Sequence, residues 1–262
     1  EFDEYLTVLS KCDDYTKIYY FLEVISKEVK SSQKIEKHYV KNKDILENDC
    51  FFTSLQMSHA NIKRLHEVAT KEKSDYRDNE VRVSAMIGGK EKIYWYGAKP
   101  SDVKPFMDDF IKFYKTKSLS VIDSNPFLKS ALAHLLFVRI HPFSDGNGRT
   151  ARMIHNMKFT ESINNIYGMK LKLCPLNLSQ NILLNQFTYV NRIDDIYFDL
   201  EHDSNHEINR WFDFMLNMVD EQLYYSKMRI PRFKRLVPAF FDKNKEPNNS
   251  QIVEEVKKIK IK

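Results

Sequence analysis

Apolar positions recur at helical spacing through most of this 262-residue chain. From Asp13 or Asp14, either of which can cap a helix, Ile18, Phe21, Leu22 and Ile25 share one face toward Lys30. Ser54 opens a second periodic run through Met57, Asn61, Leu65 and Val68. Ser101 opens a third, in which Val103, Met107, Phe110, Ile111 and Tyr114 keep the 3.6-residue period. Asn125-Pro126 starts a fourth, because proline suits the first helical position, and that helix reaches Ile140. A fifth begins near Asn147. A sixth runs from Asn205 to Tyr225, with Ile208, Trp211, Met215, Met218 and Val219 inside.

One region changes period. Val81 to Met86 alternates, as does Lys92 to Tyr96, and Gly88-Gly89 lies between them. This predicts a β-hairpin with a Gly-Gly turn. An isolated hairpin is marginally stable, so it is expected to lie against the helices. Its exposed edge can accept an extended peptide as an added strand. The predicted fold class is mainly α, with one hairpin.

Composition sharpens this picture. The chain has six glycines, about a third of ordinary usage, which argues against turn-dense β folds. The few glycines present mark places where the backbone does something unusual. Cys12, Cys50 and Cys174 are widely spaced and odd in number, which favours reduced thiols and a cytoplasmic setting. No apolar run approaches the roughly 20 residues of a membrane helix. Residues 225–262 hold eleven Lys/Arg against four Asp/Glu, so the positive balance belongs to this end of the chain. A basic tail can touch nucleic acid, but no nucleic-acid-binding motif accompanies it.

The candidate chemistry lies in His141-Pro-Phe-Ser-Asp-Gly-Asn-Gly-Arg-Thr-Ala-Arg152, between two predicted helices. Gly146 and Gly148 let backbone N–H groups converge at a helix N-terminus, where the dipole favours anions. Arg149 and Arg152, three residues apart, share a face and add two guanidiniums, a set suited to a polyphosphate. Asp145 repels such a ligand unless a cation bridges them, and Mg²⁺ resolves the conflict. His141 is the natural general base, since an unperturbed imidazole, with a reference pKa of about 6.5, is available in its neutral form at neutral pH. Gly146 to Ala151 also fits the dinucleotide fingerprint G-x-G-x-x-A, yet a helix rather than a strand precedes it.

The stretch resembles the core motif of the Fic family, H-x-F-x-(D/E)-G-N-G-R-x-x-R, through His141, Phe143, Asp145, Gly146, Asn147, Gly148, Arg149 and Arg152. The resemblance runs from about Leu22 to Val219 and takes in Tyr76-Arg77, the hairpin, Ala133-His134 and the segments around Tyr197 and Trp211. It implies a Fic-type helical bundle with a β-hairpin flap over 81–97. It divides the chain into N-terminal helices (1–53), a core (54–225) and a basic C-terminal extension (226–262). The implied activity is Mg²⁺-dependent transfer of AMP from ATP to a Ser, Thr or Tyr hydroxyl of a target protein. His141 would be the base and Asp145 the metal ligand. Gly146, Asn147, Gly148, Arg149 and Arg152 would bind phosphates, and Phe143 would anchor the loop. Tyr197 would stack on adenine, and Ile93, Tyr94 and Trp95 would dock the target on the flap. The related Doc kinases have lysine where this chain has Gly148, which disfavours their chemistry.

Many Fic proteins carry an inhibitory helix with (S/T)-x-x-x-E-(G/N), whose glutamate pairs with the second motif arginine. Ser32 and Glu36 fit this near 32–37, although Lys37 departs from the usual Gly or Asn. Ser250 and Glu254 match the spacing too, at the other end; Glu36 is preferred. Self-modification and a homo-oligomer fit the same reading. Alternatives are removal of AMP, transfer of another nucleotide, or a nucleotide- or DNA-binding regulator. His134, in an apolar helix, reads as a satisfied core histidine.

Overall fold

A computed structural model describes residues 2–12, 14–36, 55–116, 125–171, 174–201 and 206–240. The chain divides into two compact units, one from 1–48, 175–183 and 217–262, the other from 49–174 and 184–216.

The first unit contains helices α1 (Phe2–Ser10) and α2 (Asp14–Ile35). Buried Tyr5 and Tyr20 both donate to the carbonyl of Pro175, at 3.1 and 2.8 Å. Glu28 accepts from the backbone N–H of Ser179 at 2.9 Å and from its hydroxyl at 2.5 Å. A carboxylate buried this deeply is tolerable because both oxygens are hydrogen-bonded.

In the second unit, α3 (His59–Thr70) starts later than its apolar period suggests. Ser58 takes the cap, its Oγ accepting from the N–H of Asn61 at 3.2 Å, while Ser54 lies outside the described residues. Strands β1 (Arg82–Ile87) and β2 (Lys90–Tyr96) form the expected antiparallel hairpin. Gly88 and Gly89 both have positive φ, +58° and +78°, as a tight primed turn requires. Val83 pairs with Trp95 and Ser84 with Ile93, so Tyr94 is the extra residue of a β-bulge.

Helix α4 (Pro100–Lys115) begins at its proline rather than at Ser101, and no side chain caps it. Helix α5 (Pro126–Ile140) starts where Asn125-Pro126 predicts, the Asn125 Oδ1 accepting from Phe127 and Leu128. Helix α6 (Asn147–Tyr167) packs along α5, which makes the main contact of this unit. Ala151, Ile154, Phe159 and Ile163 of α6 are wholly buried with Ala133 and Phe137 of α5. The indole of Trp211 donates to the carbonyl of Ala131 at 3.2 Å, and His134 Nε2 meets the Tyr189 hydroxyl at 2.7 Å.

Helices α7 (Leu178–Leu184), α8 (Gln186–Glu201) and α9 (His206–Phe240) complete the described elements, α9 continuing well past Tyr225. Cys12 and Cys174 are buried thiols; Cys50 is outside the described residues. Among the described residues no helix is long and apolar enough to cross a membrane.

Candidate functional site

The loop between α5 and α6 is built by two departures from ordinary helix geometry. His141 caps α5 in the left-handed region, φ +53° and ψ +60°, its N–H still donating to Phe137 at 3.0 Å. A non-glycine residue there is strained and needs outside support. Arg77 supplies it. Its Nε donates to the carbonyl of His141 at 2.7 Å, its NH2 reaches the carbonyls of Ala98 and Ile140, and its own N–H donates to Pro142. The chain leaving β2 presses on this point at Gly97, where a Cβ would lie 2.7 Å from Arg77 and 3.0 Å from the His141 Cβ.

His141 Nδ1 lies 3.2 Å from the carbonyl of Val138. A carbonyl only accepts, so Nδ1 carries the proton and the lone pair sits on Nε2. A cavity of about 540 Å³ is lined by Gly97, Phe106, Phe110, Phe113, Arg139 and Ile140 among others; His141 is not part of its wall.

Phe143 follows, with 0 % of its surface exposed. Its ring stacks on His66 with centroids 3.9 Å apart, and Tyr76 meets it at 5.4 Å, edge to face. Tyr76 is itself held, its hydroxyl 3.0 Å from His59 Nδ1 while His59 Nε2 contacts Asp108 at 2.7 Å. The Asn147 side chain closes the loop by pairing with the peptide groups of Phe143. It is therefore committed internally, and any phosphate contact from Asn147 falls to its backbone N–H.

Gly146 has φ +74°, and a Cβ there would collide with Thr70 and come within 2.9 Å of His66 Nε2. Its carbonyl accepts the first helical bond of α6, from Thr150, so the N–H groups of Asn147, Gly148 and Arg149 have no acceptor within the helix. The Asp145 carboxylate is 77 % exposed and accepts from Arg149 at 3.1 Å. The Asp145 carbonyl accepts from His66 Nε2 at 2.9 Å. Arg149 is only 4 % exposed, and among the described residues its Nε has no hydrogen-bond partner. Arg152 is buried three residues further along α6.

Burial lowers the pKa of His66, partly offset by its bond to the Asp145 backbone. Burial likewise keeps His134 well below the ordinary range and brings His155 to about 4. His134 thus occupies the core as a neutral side chain.

The structure therefore gathers His141, Asp145, Gly146, Asn147, Gly148, Arg149 and Arg152 on one loop and the first turns of one helix. Of the three hairpin residues singled out, Ile93 and Tyr94 have exposed surface, whereas Trp95 is buried at 3 %. Ser32 and Glu36 lie at the end of α2 and just beyond it, in the first unit. Tyr197 is part of α8, but its side chain lies outside the described residues, as do Lys37, Ser250 and Glu254. His66 and Arg77, which support the loop, received no role from the sequence. The local signal for His66 was the buried face Ile62, Leu65, His66, Ala69, which reads as core.

A helical unit with one hairpin, and a glycine-containing loop joining its two central helices, defines the class of fold. Over residues 56–157 the chain matches the Fic/DOC family. It is 34 % identical over 85 residues to the protein adenylyltransferase Fic of Drosophila erecta, covering 32 % of this chain and 15 % of that protein. It is 40 % identical over 58 residues to protein adenylyltransferase fic-1 of Caenorhabditis elegans, covering 22 % and 11 %. The chain thus spans a small part of these relatives' length.

The fold is that of a Fic domain containing signaling protein from Bacteroides thetaiotaomicron, with TM-score 0.61 and 14 % identity, over 89 % of this chain and 96 % of that one. A Fic family protein from Desulfovibrio desulfuricans also matches, with TM-score 0.52 and 16 % identity, over 82 % and 64 %.

Proposed function

We propose that this chain transfers AMP from ATP to a Ser, Thr or Tyr hydroxyl of a protein target. The observation that carries the reading is the 3.2 Å contact between His141 Nδ1 and the Val138 carbonyl, which favours the proton on Nδ1 and so makes Nε2 the base. Nε2 takes the proton of the acceptor hydroxyl, and its oxygen attacks the α-phosphorus. The new P–O bond replaces the bond to pyrophosphate, which leaves in line. Such a step depends mainly on positioning and charge stabilisation.

The N–H groups of Gly146, Asn147 and Gly148 and the guanidiniums of Arg149 and Arg152 bind the phosphates. The buried Arg149 Nε supports this role, since an unpaired buried donor gains from an anionic acceptor. Asp145 would hold Mg²⁺, for which one exposed carboxylate shared with phosphate oxygens is a suitable donor set. When bound, Mg²⁺ neutralises phosphate charge.

Residues 54–225 form the catalytic core in this reading, with 226–262 a basic extension. The hairpin, as flap, aligns the acceptor segment by strand addition, with Ile93 and Tyr94 the surfaces in reach. Residues 1–53 carry the brake: Glu36, with Ser32, competes with the γ-phosphate for Arg152. Targets include the chain's own hydroxyls, and the setting is cytoplasmic.

The test is transfer from α-³²P-labelled ATP to protein. His141→Ala should abolish transfer while Mg²⁺-ATP binding, followed by calorimetry, persists. Transfer unaltered by that substitution overturns the reading.

A further inference from the structure

Two side chains outside the loop of residues 141–146 grip its opposite ends. Arg77 holds the carbonyls of Ile140 and His141 at one end, and His66 holds the carbonyl of Asp145 at the other. We propose that His66 is a positioning residue for the Asp145–Gly146 half of the site and Arg77 for the His141 half, so that the two halves are set separately. What the loop does rests on the proposed function; how it is held does not.

The wiring of His66 is directional. The Asp145 carbonyl can only accept, so Nε2 donates to it. Nδ1, 3.0 Å from Ser74 Oγ, then accepts from that hydroxyl when the ring is neutral. The stacked Phe143 ring fixes the remaining freedom of the imidazole. The ring plane and both nitrogens are thus specified by contacts from two separate segments, the loop at Phe143 and Asp145 and the chain at Ser74.

The consequence runs through the peptide plane. The Asp145 carbonyl and the Gly146 N–H belong to one rigid unit and point in opposite directions. Holding the carbonyl toward His66 turns the Gly146 N–H away from it. It also sets the ψ of Asp145, and so the place of a carboxylate that must stay within reach of Arg149. A flipped peptide would bring N–H against N–H. The left-handed φ of Gly146 permits this plane, and His66 selects it.

Two substitutions separate the hydrogen bond from the bulk of the ring. A glutamine amide can reach the place of Nε2, whereas an asparagine amide reaches only that of Nδ1. Amide hydrogen exchange on the full chain without nucleotide reads the loop directly. The useful probes are Phe143, bonded to Asn147, and Thr150, bonded to Gly146.

With His66→Asn, exchange at Phe143 and Thr150 should accelerate tenfold or more while the His141 amide stays unchanged; His66→Gln should restore most of the protection. Arg77→Lys should accelerate the His141 amide and leave Thr150 unchanged. In transfer assays, His66→Asn should raise the KM for Mg²⁺-ATP about tenfold with little change in kcat, and Arg77→Lys should lower kcat with little change in KM.

Equal loosening at both ends in either variant, or no rescue by glutamine, overturns the division. A chain that transfers no AMP even with Glu36→Gly and Glu254→Gly combined defeats the proposed function, while the exchange pattern still decides this inference.

Discussion

Asn147 pairs with both peptide groups of Phe143: its Oδ1 accepts from the Phe143 N–H at 2.9 Å, and its Nδ2 donates to the Phe143 carbonyl at 2.7 Å. One side chain thus does for a buried loop residue what a neighbouring strand does in a sheet. It spans the turn from the α5 exit to the start of α6, so the spacing of His141 and Asp145 depends on it.

Asn147→Ala should therefore cost stability as well as activity. It strands a buried donor and a buried acceptor, each worth about 1–3 kcal/mol. For a chain of this size each kcal/mol lowers Tm by roughly 2–4 °C. Asn147→Asp keeps the acceptor and should fall between alanine and wild type. Calorimetric scans of the three proteins check the order.

Gly146→Ala tests the left-handed start of α6. The conformation alone costs a non-glycine residue about 1–2 kcal/mol. The added methyl also meets Thr70 and His66. Urea denaturation should show a loss above the conformational cost, and adding Thr70→Ser should recover part of it. A variant as stable as wild type would mean that the helix starts another way.

Removing the proposed brake should raise activity. Glu36→Gly is expected to increase self-labelling from α-labelled ATP on the order of tenfold, as an intramolecular coupling of 1–3 kcal/mol gives. Glu254→Gly serves as the comparison. If only the latter raises labelling, the brake belongs to the other end of the chain.

Acid sensitivity should trace to the core histidines. Burial lowers His155 to about 4, against a partial upward pull from the Ser130 backbone. His134 is lowered too, by burial first and then by His155 and Arg152. An unfolded histidine takes up its proton near ~6.5. Between that value and about 4, the unfolded chain binds a proton that folded His155 refuses. Stability is therefore full above the unfolded pKa and falls as pH drops through this window, by about 1.4 kcal/mol per pH unit for the one group. Urea midpoints from neutral pH downward should show the slope, and His155→Leu should flatten it. An unchanged slope would assign the acid loss elsewhere.

The candidate site was legible in the sequence because its residues are contiguous. His141 to Arg152 supplies an imidazole, a carboxylate, glycines and guanidiniums within one loop and the first turns of one helix. Helix starts were legible where a residue has a single strong preference, as at Asn125-Pro126, and the Gly88-Gly89 turn was equally plain. They shifted where candidates compete: Ser58 caps α3 rather than Ser54, and Pro100 precedes Ser101.

The supports were not legible, because their partners are remote. His66 bonds a carbonyl 79 residues away, and Arg77 one 64 residues away. Neither separation leaves a local pattern. The face chosen by Trp95 was also hidden, since three adjacent aromatic or apolar residues alternate ambiguously across a bulge.

Helix α6 is enclosed on nearly every side, whereas the hairpin is open to solvent along most of its length. Local opening free energy follows burial, so beyond its first turn α6 should exchange its amides only through large-scale unfolding while the hairpin opens cheaply. Stiffness and adaptability are therefore assigned to different parts of one unit. Substitutions on the hairpin can retune what it meets with little effect on melting, but a change in the helix that carries the arginines is felt by the whole unit.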